Sequence, residues 1–298
     1  MNKVGILIVT FNRLSLLKEE LESIYNQSYK NFDIIVVDNG STDGTSQWLD
    51  NQHGLIVLHQ DNVGGAGGFF TGMKYIAEHD YKYCWLMDDD VVCKMDALEK
   101  LILKAEDLGN FGFLCSRVFG LDGSLMNVPI LDTRCYNGEY PSWLDKIDSN
   151  LLKVKSSTFV SVLVPVTNIM KFGLPYKEYF IWGDDVEYTT RLSTACSSYL
   201  AYNSVVIHKR KNQKQLSFKT EKDKKRLKNY YYYLRNTFFN THKYGNLKDK
   251  VLNMGFMIDL FIFSLCHCDA TRLGVLMRVF GSILMFKPKV LYPGNETI

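Results

Sequence analysis

Residues 83–90 read YCWLMDDD, a short apolar run that ends in three consecutive carboxylates. Further apolar, β-branched runs lie upstream, at 4–10 (VGILIVT), 34–37 (IIVV) and 55–58 (LIVL). Between the runs, apolar residues recur at helical spacing, most clearly over residues 14–24. Strands that alternate with helices predict an α/β fold with a mostly parallel, Rossmann-like sheet and helices on both faces.

Polar clusters follow three of these predicted strands, at the point where each strand ends. They are residues 10–13 (TFNR), 38–43 (DNGSTD) and 88–90 (DDD). In a doubly wound sheet, ligands bind beyond the carboxyl ends of the parallel strands. The sequence therefore predicts one ligand site that all three clusters share.

The composition is that of a globular protein, and its change along the chain indicates an additional C-terminal region. The 298 residues are 46% hydrophobic and 22% charged. A formal net charge of +3, with no zinc-finger or RNA-binding motif, argues against a nucleic-acid partner. Beyond residue 209 the chain becomes basic and rich in tyrosine, so we place a boundary near residue 215 and predict a helical C-terminal region over 216–298.

The sequence predicts a cytoplasmic protein. Its seven cysteines have no framework spacing, which favours free thiols in a reducing compartment over disulfides or a zinc site. No signal peptide and no apolar stretch of about eighteen residues is present. The basic segment 219–228 and the amphipathic stretches after it favour either peripheral contact with the inner face of the cell membrane or a homo-oligomer interface.

Asp88 and Asp90 form the strongest candidate for a metal site. Alternate residues of an extended segment point the same way, so both carboxylates can share one cation. Such oxygen ligands suit Mg²⁺ and Mn²⁺ bound to substrate phosphates. His208, at the end of an apolar run, is a further candidate ligand. The alternatives are a solvated acidic turn and a structural histidine.

Two other segments have the character of a ligand site. Asp38 ends a predicted strand, where a carboxylate can bind a ribose or base, although an Asx-type turn is the plainer alternative. Residues 62–69 (NVGGAGGF) are predicted to form a glycine-rich turn before a helix, where a diphosphate or sugar hydroxyls could bind. A flexible surface turn is the alternative there.

The segment 179–187 (YFIWGDDVE) places carboxylates beside aromatic residues. An aromatic, water-poor setting can raise the pKa of a carboxylate and suits a general base. Asp185 and Glu187 could instead be the acidic residues that stabilise a helix N-terminus.

In order and spacing, these motifs resemble those of the inverting, GT-A-fold glycosyltransferases of the large bacterial family two. The resemblance spans roughly residues 3–240 and is greatest to the galactofuranosyltransferases, with rhamnosyltransferases next; the run GGAGGF favours galactofuranose. It implies a catalytic domain at 1–215, with a nucleotide-sugar part at about 1–110 and an acceptor part at about 111–215. The best-known polymerising relatives carry a large extra N-terminal domain, so its absence here favours addition of one or a few sugars.

The resemblance also implies a role for each candidate residue. Asp185 is the expected catalytic base, and Asp88, Asp90 and His208 are the expected ligands of Mn²⁺ or Mg²⁺. The residues expected to contact the acceptor are Trp182, Asp184 and Glu187. The residues expected to bind the donor are Thr10, Phe11, Asn12, Arg13, Asp38, Asn39, Asn62, Gly64, Gly65, Gly67, Gly68, Asp88 and Asp89. The segment 231–236, which ends in Leu-Arg-Asn, looks like a family feature without a clear chemical role.

The resemblance implies a nucleotide diphosphate sugar as donor, with UDP-galactofuranose favoured, and a glycan or glycolipid of capsule or O-antigen type as acceptor. One rival function is a rhamnosyltransferase that uses dTDP-rhamnose. A nucleotidyltransferase is disfavoured because the segment after the first strand has one basic residue, Arg13. A catalytically inactive binding subunit of a polysaccharide assembly complex is disfavoured because Asp88, Asp90, Asp185 and His208 are all present.

Overall fold

The structure is a computed structural model that describes residues 2–135, 139–210 and 217–294. A twisted sheet forms its centre. Its strands are β1 Val4–Thr10, β2 Phe32–Asp38, β3 Leu55–His59, β4 Tyr83–Asp88, β5 Val91–Cys93, β6 Leu114–Phe119, β7 Leu125–Met126, β8 Ile130–Leu131, β9 Leu151–Ser156, β10 Val162–Pro165 and β11 Tyr199–His208. The helices are α1 Leu14–Tyr25, α2 Thr45–Asp50, α3 Gly64–Ala77, α4 Ala97–Leu108, α5 Val166–Phe172, α6 Asp184–Ala195, α7 Lys224–Tyr244, α8 Leu247–Cys266 and α9 Ala270–Ile283.

The main path of the sheet has the order β3-β2-β1-β4-β10-β6-β11-β9-β8. Strands β3, β2, β1 and β4 pair in parallel, as the alternating sequence pattern predicts. Beyond β4 the sheet is mixed, because β10 is antiparallel to both β4 and β6 whereas β11 is parallel to β6. Two apolar layers lie on the faces of the sheet, one around α1 and α4 and the other around α3, α5 and α6. The predicted α/β class is confirmed.

The predicted glycine-rich turn is instead the first turn of a helix. Helix α3 begins at Gly64, and its glycines allow it to lie very close to β1. A Cβ at Gly68 would come within 2.4 Å of Val9, and one at Gly72 within 2.1 Å of Leu7. The glycines at 64–68 predict a turn in sequence, but three of them, Gly64, Gly67 and Gly68, lie where a Cβ would clash with neighbouring atoms.

Helices α7, α8 and α9 form a third layer with its own apolar core, in agreement with the predicted helical C-terminal region. Helix α7 also packs against α6 through Glu187, which is fully buried. The carboxylate of Glu187 accepts hydrogen bonds from Arg191, Lys243 and Tyr244 at 2.6–2.9 Å. None of the helices in the described residues is long and apolar enough to cross a bilayer.

Candidate active site

The three polar clusters meet at one edge of the sheet. Strand register places Asp38 opposite Thr10 and Asp88 opposite Val9. The hydroxyl of Thr10 donates to Asp89 at 2.8 Å, and the guanidinium of Arg13 bridges Asp89 and Asp90 at 3.0 and 2.7 Å. The segment after β1 thus holds residues 88–90, which we call the aspartate loop, in place.

Strand pairing brings His208 to this loop. Short strand β5, directly after the aspartates, pairs with the end of β11, so that Val91 lies opposite His208. The imidazole Nε2 of His208 lies 2.9 Å from Oδ1 of Asp90. One ligand atom from each of Asp88, Asp90 and His208 lies within 4.8 Å of the others. Two carboxylates and an imidazole at this spacing can hold one divalent cation.

Electrostatics also favour a cation here. Burial, followed by repulsion from Asp90, raises the pKa of Asp88 to about 6, and burial likewise raises the pKa of Asp89 to about 6. Burial disfavours the charged form of Asp90, but His208 and Arg13 outweigh it and hold the pKa of Asp90 below its ordinary value. Asp88 and Asp90 repel each other in their ionised forms, and a positive charge between them would stabilise both carboxylates.

Asn127, which the sequence did not single out, positions His208. Its Oδ1 lies 2.9 Å from Nδ1 of His208. With the amide placed this way, Nδ1 of the imidazole donates its proton to Asn127, and Nε2, which faces Asp90, is the nitrogen that could bind a cation. Asn127 follows β7, which pairs with β6 beside β11, so its approach to His208 depends on sheet order.

Asp38 is buried in a polar pocket. The amide N–H of Ser41 and the hydroxyl of Ser46 donate to its carboxylate, and Nδ1 of His59 lies 3.0 Å from it. These bonds outweigh burial and keep the pKa of Asp38 below its ordinary value, so it is ionised at neutral pH. A fixed carboxylate at this edge could accept a hydrogen bond from a ribose or base.

Three of the residues predicted to bind the sugar donor hold the surrounding loops together. Asn12 accepts from the N–H of Thr42 at 2.6 Å and has a positive φ of 54°. Asn39 accepts from Gln60 at 2.8 Å, and Asn62 accepts from the N–H of Gly64 at 3.0 Å. Their amides shape the pocket from within the protein, whereas the side chain of Phe11 is 41% exposed beside it.

The glycines predicted to bind the sugar donor differ in their surroundings. Gly64 lies against the loop before α6, where a Cβ would come within 2.0 Å of the carbonyl oxygen of Phe180. A Cβ at Gly67 would come within 2.4 Å of Val63. Gly65 has open space on its side-chain side, and among these glycines it is the one best placed to face a ligand.

Asp185 lies in the first turn of α6, within electrostatic reach of the aspartate loop. Its carboxylate accepts from the N–H of Val186 at 2.7 Å. Burial raises the pKa of Asp185 to about 6, although hydrogen bonds from backbone N–H groups oppose the shift. The charge of Asp185 in turn contributes to the raised pKa of Asp88. Burial and repulsion from Asp185 raise the pKa of the neighbouring Asp184 well above its ordinary value.

The loop before Asp185 has an unusual backbone. Phe180 and Trp182 have φ values of 64° and 63°, and Gly183 has a φ of 91°. For aromatic residues such sparsely populated backbone conformations cost about 1–3 kcal/mol each. The amide of Asn236 donates to the carbonyls of Trp182 and Tyr179 at 2.7 and 3.1 Å.

Other residues of α7 near Asn236 also donate hydrogen bonds to the loop before Asp185. The amide of Asn240 donates to the carbonyl of Gly183 at 2.9 Å, and the guanidinium of Arg235 donates to that of Glu178 at 2.8 Å. Within the segment 231–236, whose role was unclear from sequence, Arg235 and Asn236 therefore fix the loop before Asp185.

Two residues predicted to contact the acceptor, Glu187 and Trp182, have different surroundings. Glu187 is fully buried, and its ion pairs with Arg191 and Lys243 join α6 to α7. We assign it a structural role because both oxygens already accept from protein donors. Trp182 is half-buried and packs against Tyr230 and Tyr233, with ring centroids 5.5 and 6.3 Å apart, so part of its ring is covered.

A sequence model of the family described as Glycosyl transferase family 2 matches residues 5–155. This chain belongs to that family. The match runs from β1 to β9 and includes the three polar clusters at the edge of the sheet. Asp185 and His208 lie beyond it, and the strand pairing described above brings His208 to the same edge.

Several named relatives of this family-2 chain are glycosyltransferases. Galactofuranosyltransferase GlfT1 of Mycolicibacterium smegmatis is 26% identical over 191 residues, which cover 62% of this chain and 63% of that protein. Abequosyltransferase RfbV of Salmonella typhimurium is 29% identical over 119 residues, or 38% of this chain and 35% of that protein. Glycosyltransferase GlyA of Streptococcus pneumoniae is 28% identical over 107 residues, or 35% of this chain and 15% of that protein. The chain thus covers less than two thirds of each of these relatives.

Solved structures share the fold. S. aureus TarS 1-349 in complex with UDP has a TM-score of 0.56 at 14% identity, over 84% of this chain and 68% of that chain. Another crystal structure of S. aureus TarS has a TM-score of 0.58 at 12% identity, over 94% of this chain and 55% of that chain. Together with the family match, this similarity confirms the GT-A fold that the sequence motifs predict.

Proposed function

We propose that this family-2 protein is an inverting glycosyltransferase that moves a sugar from a nucleotide diphosphate to a hydroxyl of a glycan or glycolipid. The observation that carries the proposal is the cluster of Asp88, Asp90 and His208, close enough to Asp185 for its charge to raise the pKa of Asp88. A single displacement at an anomeric carbon requires a base near the site that holds the diphosphate.

Asp185 acts as the base in this proposal. Its carboxylate takes the proton of the acceptor hydroxyl as the oxygen attacks the anomeric carbon, while the bond to the diphosphate breaks. A pKa of about 6 leaves Asp185 mostly ionised at neutral pH yet more basic than an exposed aspartate. Transfer from the opposite side inverts the anomeric configuration.

Asp88, Asp90 and His208 would hold Mn²⁺ or Mg²⁺, because their two carboxylate oxygens and one imidazole nitrogen suit either ion. When bound, the cation supplies Lewis-acid stabilisation of the departing diphosphate. Arg13 and Thr10 keep the aspartate loop in place, and Asp38 orients the nucleoside.

The favoured donor is UDP-galactofuranose. The GGAGGF run at 64–69 and the similarity to GlfT1 over 191 residues support this choice. RfbV, a relative of comparable identity, is named for the transfer of a different sugar, abequose. The rival donor for this chain is dTDP-rhamnose.

A panel of nucleotide sugars with Mn²⁺ tests the proposal, scored by release of the nucleoside diphosphate. We expect UDP-galactofuranose to be turned over, and the Asp185→Asn variant to bind UDP but to turn over at a rate lower by roughly 10²–10⁴-fold. Release from dTDP-rhamnose alone would select the rival donor. If the wild-type protein binds UDP but releases no diphosphate from any donor and acceptor pair, the chain is an inactive binding subunit.

A further inference from the structure

Helix α8 has apolar side chains on two different faces. Its inner face buries Met257, Leu260 and Ser264 against the other C-terminal helices. Its outer face carries large apolar side chains that are 43–78% exposed. They form one stripe at helical spacing, which we call the outer stripe: Leu247, Val251, Met254, Ile258, Ile262 and Leu265.

The outer stripe is long and continuous with exposed apolar residues of α9. From Leu247 to Leu265 it extends about 27 Å along the helix axis. The rings of Phe261 and Phe280 lie 6.2 Å apart and join it to α9, where Met277 is 61% exposed. Monomeric soluble proteins seldom expose a contiguous apolar surface of this extent without a partner.

The C-terminal region that carries this surface is positively charged. Residues 217–294 contain fourteen Lys and Arg against five Asp and Glu, a net charge of +9, whereas residues 1–216 have a net charge of −5. The basic segment 219–228 borders the outer stripe, since Nζ of Lys219 pairs with Asp259 at 2.7 Å and lies 5.1 Å above the ring of Phe263. Lys222, Lys224 and Lys225 in the same segment are exposed.

We propose that the outer stripe and its basic border bind the surface of an anionic lipid bilayer, with α8 lying in the plane of the headgroups. An apolar helix face flanked by lysines is the chemistry that such a surface recognises, because acyl chains cover the apolar groups while anionic headgroups neutralise the lysines.

A second copy of the chain fits this surface less well. A two-fold interface places the same patch on both partners, so two regions of net charge +9 would face each other. Repulsion between them opposes pairing, whereas an anionic bilayer supplies the opposite charge.

Vesicle flotation tests the proposal with the full chain. We expect the wild-type protein to float with vesicles of equal parts phosphatidylcholine and phosphatidylglycerol, but not with phosphatidylcholine alone, and to be released by high salt. The double variant I258Q/I262Q should bind about tenfold or more weakly. The triple variant K222Q/K224Q/K225Q should bind roughly a hundredfold more weakly, at about fivefold for each lysine.

The matched control is L103Q/M170Q, which replaces apolar residues that are 53% and 48% exposed on α4 and α5. It should bind like the wild type. Equal binding by I258Q/I262Q and L103Q/M170Q, or no binding of the wild type, overturns the proposal. A wild-type dimer that I258Q/I262Q dissociates, without any lipid binding, assigns the stripe to a second copy instead. The assay contains no nucleotide sugar, so its outcome is independent of the proposed glycosyl transfer.

Discussion

Replacing Asn236 with alanine tests whether α7 positions the catalytic base. The amide of Asn236 is fully buried and donates to the carbonyls of Trp182 and Tyr179. Two such hydrogen bonds contribute about 2 kcal/mol in net terms. The positive φ values of Phe180 and Trp182 oppose this with a cost of about 2–6 kcal/mol together.

Without the amide, therefore, the loop can relax and carry Asp185 away from the acceptor. A loss of about 2 kcal/mol lowers the equilibrium constant between the positioned and the relaxed loop by roughly 30-fold. We expect kcat to fall by up to that factor, with the KM for the donor little changed, because Asp38 and the aspartate loop lie on other elements.

Steady-state diphosphate release across pH checks the reasoning. The wild-type kcat should decline as the pH falls through about 6, since burial raises the pKa of Asp185 and the base works only when ionised. In the Asn236→Ala variant, greater exposure of Asp185 should lower its pKa and move the decline to lower pH. Asn229→Ala on the same helix is the control, because Asn229 has no side-chain hydrogen bond to the described residues. A variant that unfolds more easily but keeps its kcat and pH profile would refute the positioning role.

Three further changes probe the base, the cation site and the α6–α7 junction. Asp185→Asn should abolish the decline of kcat near pH 6, so a residual rate that still falls there would assign that pKa to another group. Asn127→Ala should weaken Mn²⁺ binding, measured by calorimetry, roughly 10- to 100-fold, because His208 loses the partner that orients it; unchanged affinity would exclude that role. Glu187→Gln should lower the free energy of unfolding in urea by about 3–5 kcal/mol, since it leaves Arg191 and Lys243 without their buried counter-charge. Ion pairing outweighs burial and lowers the pKa of Glu187 in the folded protein. The stability that Glu187 contributes should therefore be fully present above the ordinary pKa of glutamate and be lost as the pH falls through the lowered pKa. A wild-type stability that does not change with pH below the ordinary pKa of glutamate would contradict this.

The local pattern of the sequence was sufficient for the fold class and for one edge of the site. Apolar runs that alternate with helical patterns specify parallel strands, and the carboxyl ends of such strands meet at one edge. The sequence alone therefore places Thr10, Asp38 and Asp88 together, since each directly ends a strand.

The remaining features depend on contacts between distant parts of the chain. His208 and Asn127 are 81 residues apart, and their meeting requires the order of β7, β6 and β11 in a mixed sheet, which apolar periodicity does not encode. In the same way, the structural role of Glu187 follows from Lys243 and Tyr244 on α7.

By itself, then, the sequence determined the four parallel strands β1 to β4 and the carboxylates that end β2 and β4, because both follow from side-chain periodicity over a few residues. Only the tertiary structure decided how α7 fixes the loop before Asp185 and which side of α8 remains exposed. Those outcomes depend on which surfaces pack together, and the hydrophobic effect that drives packing is non-directional, so local sequence does not specify its partners.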